Sequence, residues 1–98
     1  MEYNLVTIFD KRTILSKIER FQFINNNNVF NKLFVKRDDL IHAEVSGNKW
    51  RKLKWNVIHA LENNCNLLST YGGAFSNHIL ATASIGNELN LKTRAFVR

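Results

Sequence analysis

The sequence contains no proline, one cysteine and one methionine in 98 residues. A lone Cys65 excludes an internal disulfide framework and a cysteine-based zinc knuckle, so a reducing compartment is expected. No apolar run approaches a membrane span. Met1-Glu2-Tyr3-Asn4 leads into no long apolar stretch of the kind a secretory signal needs. Both absences point to the cytoplasm and to no membrane partner. The length allows one domain at most and falls well below that of a typical metabolic enzyme. What is present is globular in composition: 45% hydrophobic, 22% charged and 11% aromatic, which excludes a wholly disordered or low-complexity chain. The charge balance leans basic, 14 Lys+Arg against 8 Asp+Glu for a net +6. Alone, that suggests an acidic partner such as nucleic acid.

The two halves differ in periodicity. In the first, Val6, Ile8 and Phe9 suit a short strand, and Ile14, Leu15, Ile18 and Phe21 suit a helix over residues 13–20. The run Asn25-Asn26-Asn27-Asn28 reads as a turn or loop, because Asn tolerates left-handed backbone. From Lys32 the pattern sharpens. Leu33-Phe34-Val35 reads as a short buried strand ending at Lys36-Arg37-Asp38-Asp39. A loop runs through Leu40 to Ser46 and Gly47, and a helix is expected from about Asn48 to Glu62. In it Trp50, Leu53, Val57 and Leu61 share one face, and Asn63 and Asn64 supply the stop. Leu67 to Thr70 reads as a strand, Ser76 or Asn77 as the cap of a helix reaching about Asn87, and Thr93 to Val97 as a last strand. Ala81, Ala83 and Ser84 keep that second helix thin for close packing on a sheet. Strand, helix, strand, helix, strand over residues 33–97 predicts an α/β layer of parallel strands. Such a sheet needs cover on both faces, which this chain supplies poorly, so a part of a longer chain or of an obligate assembly is expected.

Two segments carry chemistry. Lys49, Arg51, Lys52 and Lys54 crowd the first turns of the helix that follows Ser46-Gly47-Asn48. A helix start disfavours cations, so an anion such as a phosphate or carboxylate offsets the cost, or the face is merely solvated. Crowded positive charge also favours the neutral form of a lysine, and a neutral amine is what Schiff-base chemistry requires. Tyr71-Gly72-Gly73-Ala74-Phe75-Ser76-Asn77-His78 places paired glycines between a strand and a helix start. That is either an anion cradle of backbone N–H groups beyond the carboxyl end of a strand, or an ordinary turn capped by Ser76. The glycine spacing matches neither a nucleophile elbow nor a dinucleotide fingerprint. His42, His59 and His78 are too scattered to argue for a metal site. Cys65 reads as a small buried residue, Trp50 and Trp55 as packing residues, and Asp38 and Asp39 as turn residues that can fix the loop beside Lys49.

Three blocks in order, Lys36-Arg37-Asp38-Asp39-Leu40, Ser46-Gly47-Asn48-Lys49-Trp50-Arg51-Lys52-Leu53 and Gly72-Gly73-Ala74-Phe75-Ser76-Asn77-His78, resemble one family. It is the amino-terminal part of the 1-aminocyclopropane-1-carboxylate deaminase / D-cysteine desulfhydrase family, pyridoxal-phosphate enzymes with the tryptophan-synthase-β type of fold (fold type II). The resemblance covers roughly Leu33 to Val97; the first thirty or so residues match weakly, and the family's proline-containing early segment is not visible. It implies that Lys49 is the lysine covalently linked to pyridoxal 5'-phosphate and later a proton-transfer base. It implies that Ser76 contacts substrate as a nucleophile or carboxylate ligand, and that Asn77 hydrogen-bonds the cofactor's ring hydroxyl. Ser76, Asn77 and His78 would hold the substrate carboxylate through backbone groups, and Asn48 would shape the lysine's loop. The implied reaction is elimination or ring opening of a small amino acid with release of ammonia, the cofactor acting as electron sink. Ser46 stands where members commonly carry glycine, a change small enough that no loss is expected.

The family's phosphate loop, its partner for the pyridine nitrogen and its specificity tyrosines lie further along than these 98 residues. The chain is therefore expected to be a truncated, inactive part of a lyase or deaminase, homo-oligomeric when full length. A small basic nucleic-acid module and a degenerate remnant without chemistry are the alternatives, and the first of these accounts for little beyond the net charge.

Overall fold

The computed structural model describes residues 5–20 and 33–98. In chain order the elements are helix α1 (Leu5–Thr13), strands β1 (Ile18–Arg20) and β2 (Phe34–Lys36), a 3-10 turn (Asp38–Leu40), helix α2 (Asn48–Glu62), strand β3 (Leu67–Gly72), helix α3 (Asn77–Glu88) and strand β4 (Lys92–Val97). The second half forms as its pattern predicts. Trp50, Leu53 and Val57 on α2 are buried with Ile58 and Ala60, and Leu61 packs against the same core. The helix stops where Asn64 turns left-handed at φ 55° and the Cys65 N–H donates to the Ala60 carbonyl at 2.8 Å. That turn leaves Cys65 exposed, against the expectation of a buried thiol.

β3 and β4 pair in parallel, Leu67 opposite Lys92 through Gly72 opposite Val97, with α3 as their connection. Ser76 caps α3, its Oγ accepting from the Ile79 N–H at 3.4 Å. Ala81, Thr82, Ile85 and Gly86 form the buried side of α3; Ala83 is exposed. Gly86 is where the helix comes closest to the sheet, since a Cβ there would collide with Thr93 Cγ2. The opposite side of the sheet is uncovered among the described residues: Tyr71 and Phe96, cross-strand neighbours, stack at 5.0 Å and are 75% and 46% exposed.

The first half departs from expectation. Residues 5–13 are helical rather than a strand, and the helix foreseen over 13–20 is instead a turn followed by β1. The cause is long-range: Phe9 is fully enclosed against the Trp50 ring (centroids 4.8 Å), and Trp50 Nε1 donates to the Phe9 carbonyl at 3.3 Å. Lys11 and Arg12 fall in the last turn, where cations suit the helix dipole. Strand β2 forms but is neither buried nor part of the parallel sheet. It pairs antiparallel with β1, Ile18 opposite Lys36. Charge sets this pairing: Lys36 Nζ donates to the Ser16 carbonyl at 2.7 Å, and Arg37 bonds Glu19 and Asp39 at 2.8 Å each. Among the described residues the parallel sheet thus has two strands, not three. The asparagine run lies outside the described residues. One core, built from Phe9, Ile41, Val45, Trp50, Leu53, Val57, Ile58, Ala81, Ile85 and Leu91, joins α1, the loop before α2, α2 and α3.

Candidate functional site

A cleft of about 260 Å³ opens where the loop before α2 meets the starts of α2 and α3. Its walls are Ala43, Glu44, Ser46, Asn48, Lys49, Asn77 and Leu80. Lys49 stands in the first turn of α2 and Asn77 begins α3, so two sequence blocks converge on one space. The turn into α2 depends on Gly47, whose φ of 61° and ψ of −137° suit glycine and little else. Its N–H donates to the Asp38 carbonyl at 3.2 Å, and the helix start has no side-chain cap. Among the described non-glycine residues only Asn64 and Asn90 take positive φ, so serine at position 46 meets no backbone strain.

Asp38 is more than a turn residue. Its carboxylate accepts from Arg51 Nε at 2.8 Å, Arg51 Nη2 at 3.0 Å and Ser16 Oγ at 2.6 Å. The Arg51 hydrogen bonds, helped by Ser16, hold the Asp38 carboxyl well below the usual carboxylate range. The same pairing raises the Arg51 guanidinium. Asp38 therefore ties the loop, through its carbonyl, to the first turn of α2, through its side chain.

The four cations of α2 divide into two kinds. Arg51 is spent on Asp38, and Lys54 pairs with Asp10 at 2.7 Å while lying 4.7 Å from the Trp55 ring centre. Among the described residues, Lys49 and Lys52 have no ion-pair partner. Both act on His78: burial first, then the charges of Lys49 and Lys52, push its imidazole below the ordinary histidine value. Two cations without an ion-pair partner among the described residues therefore act at the start of α3, where backbone N–H groups already favour anions.

Four residues were expected at the site from sequence. Lys49 and Asn77 line the cleft together. Ser76 does not line it; its side chain caps α3, and its N–H donates to the Gly73 carbonyl at 3.1 Å. His78 does not line it either. It borders a neighbouring cavity of about 330 Å³ with Leu53, Asn56, Val57, Ser69, Thr70 and others. Glu44 and Leu80 line the cleft without having been singled out. Leu80 was findable as the residue one turn after Asn77 on the same helix face. Glu44 carried no local signal. Of the paired glycines, Gly72 is packed beneath Ser76, where a Cβ would lie 3.0 Å from Ser76 Cβ, whereas Gly73 faces open space. Chemically, the arrangement offers a primary amine, an amide side chain beside it and an open helix start. Those residues fit a group that carries an aldehyde for the amine and anionic or hydroxyl oxygens for the donors.

Comparison with known proteins adds the following. No protein-family model matches the chain, and no solved structure matches it. Over 67 residues, 68% of this chain and 17% of the relative, it is 42% identical to a bifunctional D-cysteine desulfhydrase/1-aminocyclopropane-1-carboxylate deaminase, mitochondrial, of Arabidopsis thaliana. Over 60 residues, 61% of this chain and 18% of the relative, it is 38% identical to a D-cysteine desulfhydrase of Salmonella paratyphi B. The resemblance read from the three residue blocks is thus a measured similarity to proteins carrying those names. The chain spans less than a fifth of the length of these curated relatives.

Proposed function

We propose that this chain contributes the lysine-bearing part of a pyridoxal-phosphate-dependent deaminase or desulfhydrase for a small amino acid, of the 1-aminocyclopropane-1-carboxylate or D-cysteine class. The observation that carries the reading is the meeting of Lys49 and Asn77, from separate sequence blocks, in one cleft. The similarity to relatives named for these activities supports it.

In this reading Lys49 Nζ would hold the cofactor covalently, and Asn77 would orient it through its side-chain amide. When bound, the cofactor supplies the electron sink for bond breaking next to the amino group. The start of α3, with Ser76 and the backbone of Asn77 and His78, receives the substrate carboxylate, favoured by the helix dipole. Lys52 and Lys49 raise the positive potential there. The Lys49 amine, when free, would take and return a proton at its Nζ. Gly47 and the Asp38–Arg51 pair set the place of Lys49 without touching the reactants. Because the chain spans so little of its relatives, these residues are assigned as one part of a site, and the substrate choice and homo-oligomeric state are proposals for the whole protein.

The test is covalent trapping. The full-length protein is incubated with pyridoxal phosphate, reduced with borohydride and mapped by mass spectrometry. A reduced adduct on Lys49, lost in Lys49→Ala, is the expected result. An adduct on another residue, or none, overturns the assignment.

A further inference from the structure

The loop of residues 41–47 forms one wall of the Lys49 cleft, through Ala43, Glu44 and Ser46. Ile41 and Val45 anchor it in the core, both fully buried. Between them lies His42, whose side chain is only 11% exposed and which belongs to none of the motifs above. Its Nδ1 receives two backbone N–H groups, from Glu44 and Val45, each at 3.1 Å. Both partners are donors only, so Nδ1 carries no proton. The proton therefore sits on Nε2, which donates to Glu88 Oε2 at 2.9 Å. Glu88 ends α3, and its other oxygen lies 3.5 Å from Arg12 Nη2 on α1. The imidazole also stacks on Trp50 of α2, ring centres 5.7 Å apart. One ring thus holds the loop's own turn, the end of α3 and α2, and Glu88 extends the link to α1.

We infer that His42 is a positioning residue for the cleft: its imidazole fixes the loop wall carrying Ala43 and Glu44, and so the space in which Lys49 and Asn77 meet. The device works through acceptance: a side chain with no acceptor at the place of Nδ1 leaves both loop N–H groups without this partner. The loop geometry stands by itself; only the identity of the cleft's ligand rests on the proposed function.

The experiment uses the full-length protein and its His42→Asn and His42→Ala variants. Asn offers an acceptor near the place of Nδ1; Ala offers none. Two readouts are followed: hydrogen exchange of the Glu44 and Val45 amides, corrected for the intrinsic rate, and affinity for pyridoxal phosphate. In His42→Ala, protection of these amides is expected to fall about tenfold, with weaker cofactor binding alongside. In His42→Asn, protection and cofactor affinity are expected to stay close to the parent's. Unchanged protection in His42→Ala, or no rescue of either readout in His42→Asn, overturns the inference. If no form binds pyridoxal phosphate while the amides behave as expected, the functional reading fails and the His42 device stands.

Discussion

Arg51 donates to Asp38 through two nitrogens, Nε to Oδ2 at 2.8 Å and Nη2 to Oδ1 at 3.0 Å, two residues beyond Lys49 on the same helix. The pair answers the charge problem posed by the start of α2. A cation near a helix start is disfavoured, but this one is neutralised by a carboxylate arriving from the preceding turn. Asp38 also accepts the Gly47 N–H through its carbonyl, so one residue locks both ends of the loop that delivers Lys49.

Replacing Asp38 with Asn should therefore cost stability, about 1–2 kcal/mol near neutral pH, with the half-exposed guanidinium keeping the loss towards the lower end. The pH dependence has a definite sign. The folded carboxyl titrates well below its unfolded value of about 4, so its contribution is fully present above about pH 4 and fades as pH falls below that. Denaturant unfolding as a function of pH checks this. The gap between parent and Asp38→Asn should be widest near neutrality and close in acid. A gap that stays constant with pH would show that the ion pair is not its source.

Gly86 provides a second, local test. Helix propensity alone favours Ala there by about 1 kcal/mol. The packing argues the reverse, because a Cβ would strike Thr93 Cγ2, the stiff arm of a β-branched residue, and lie 3.1 Å from the Leu91 carbonyl oxygen. Gly86→Ala is expected to destabilise by about 1–3 kcal/mol. Thr93→Ser removes the obstructing methyl, so the double variant should recover much of the loss. A double-mutant cycle measured by thermal unfolding should show coupling between the sites.

These two cases also show why some of the structure was legible in the sequence and some was not. Helix α2 was readable to its ends because Trp50, Leu53, Val57 and Leu61 recur at helical spacing and Gly47 and Asn63 flank it. The β3–α3–β4 unit was readable for the same local reasons. Helix α1 was not: Val6 and Ile8 alternate as in a strand, with Phe9 extending the apolar run, and what decides the matter is Phe9 packing on Trp50, far along the chain. Strand β2 was seen, but its partner was not, because the bonds that choose β1 come from Lys36 and Arg37, whose charges looked like a strand terminator. At the candidate site, Lys49 and Asn77 were nameable from their blocks. That both face one cleft depended on the crossing of α2 and α3. Glu44 and His42 sit in a loop with no periodicity, and their places follow from Ile41 and Val45 being drawn into the core.

Ser76 separates capping from ligand binding. Its Oγ satisfies the Ile79 N–H at a long 3.4 Å, so Ser76→Ala should cost about 1 kcal/mol or less. Ser76→Asp keeps a capping oxygen and adds a charge that suits the helix start, so its thermal stability should match the parent's. If the start of α3 receives a carboxylate, that same added charge should weaken substrate binding by an order of magnitude or more while leaving the fold intact. Unfolding scans beside substrate affinity measure the two effects separately. Equal substrate affinity in the parent and Ser76→Asp would remove Ser76 from the site and leave it a cap alone.

His78 reports on the positive patch itself. Burial lowers its pKa first, and the charges of Lys49 and Lys52 lower it further. Titration of the imidazole proton resonances should place it below the ordinary value of about 6.5. Lys52→Gln should move it upwards, though not fully to that value, because burial remains. The linkage follows directly. With the folded value below the unfolded one, the unfolded chain binds the proton first, so His78's contribution is present above about pH 6.5 and is lost as pH falls through that region. Lys52→Gln should lessen this loss. If the resonance does not shift in Lys52→Gln, that lysine's charge does not reach the start of α3, and the anion-attracting potential assigned to that helix end rests on Lys49 alone.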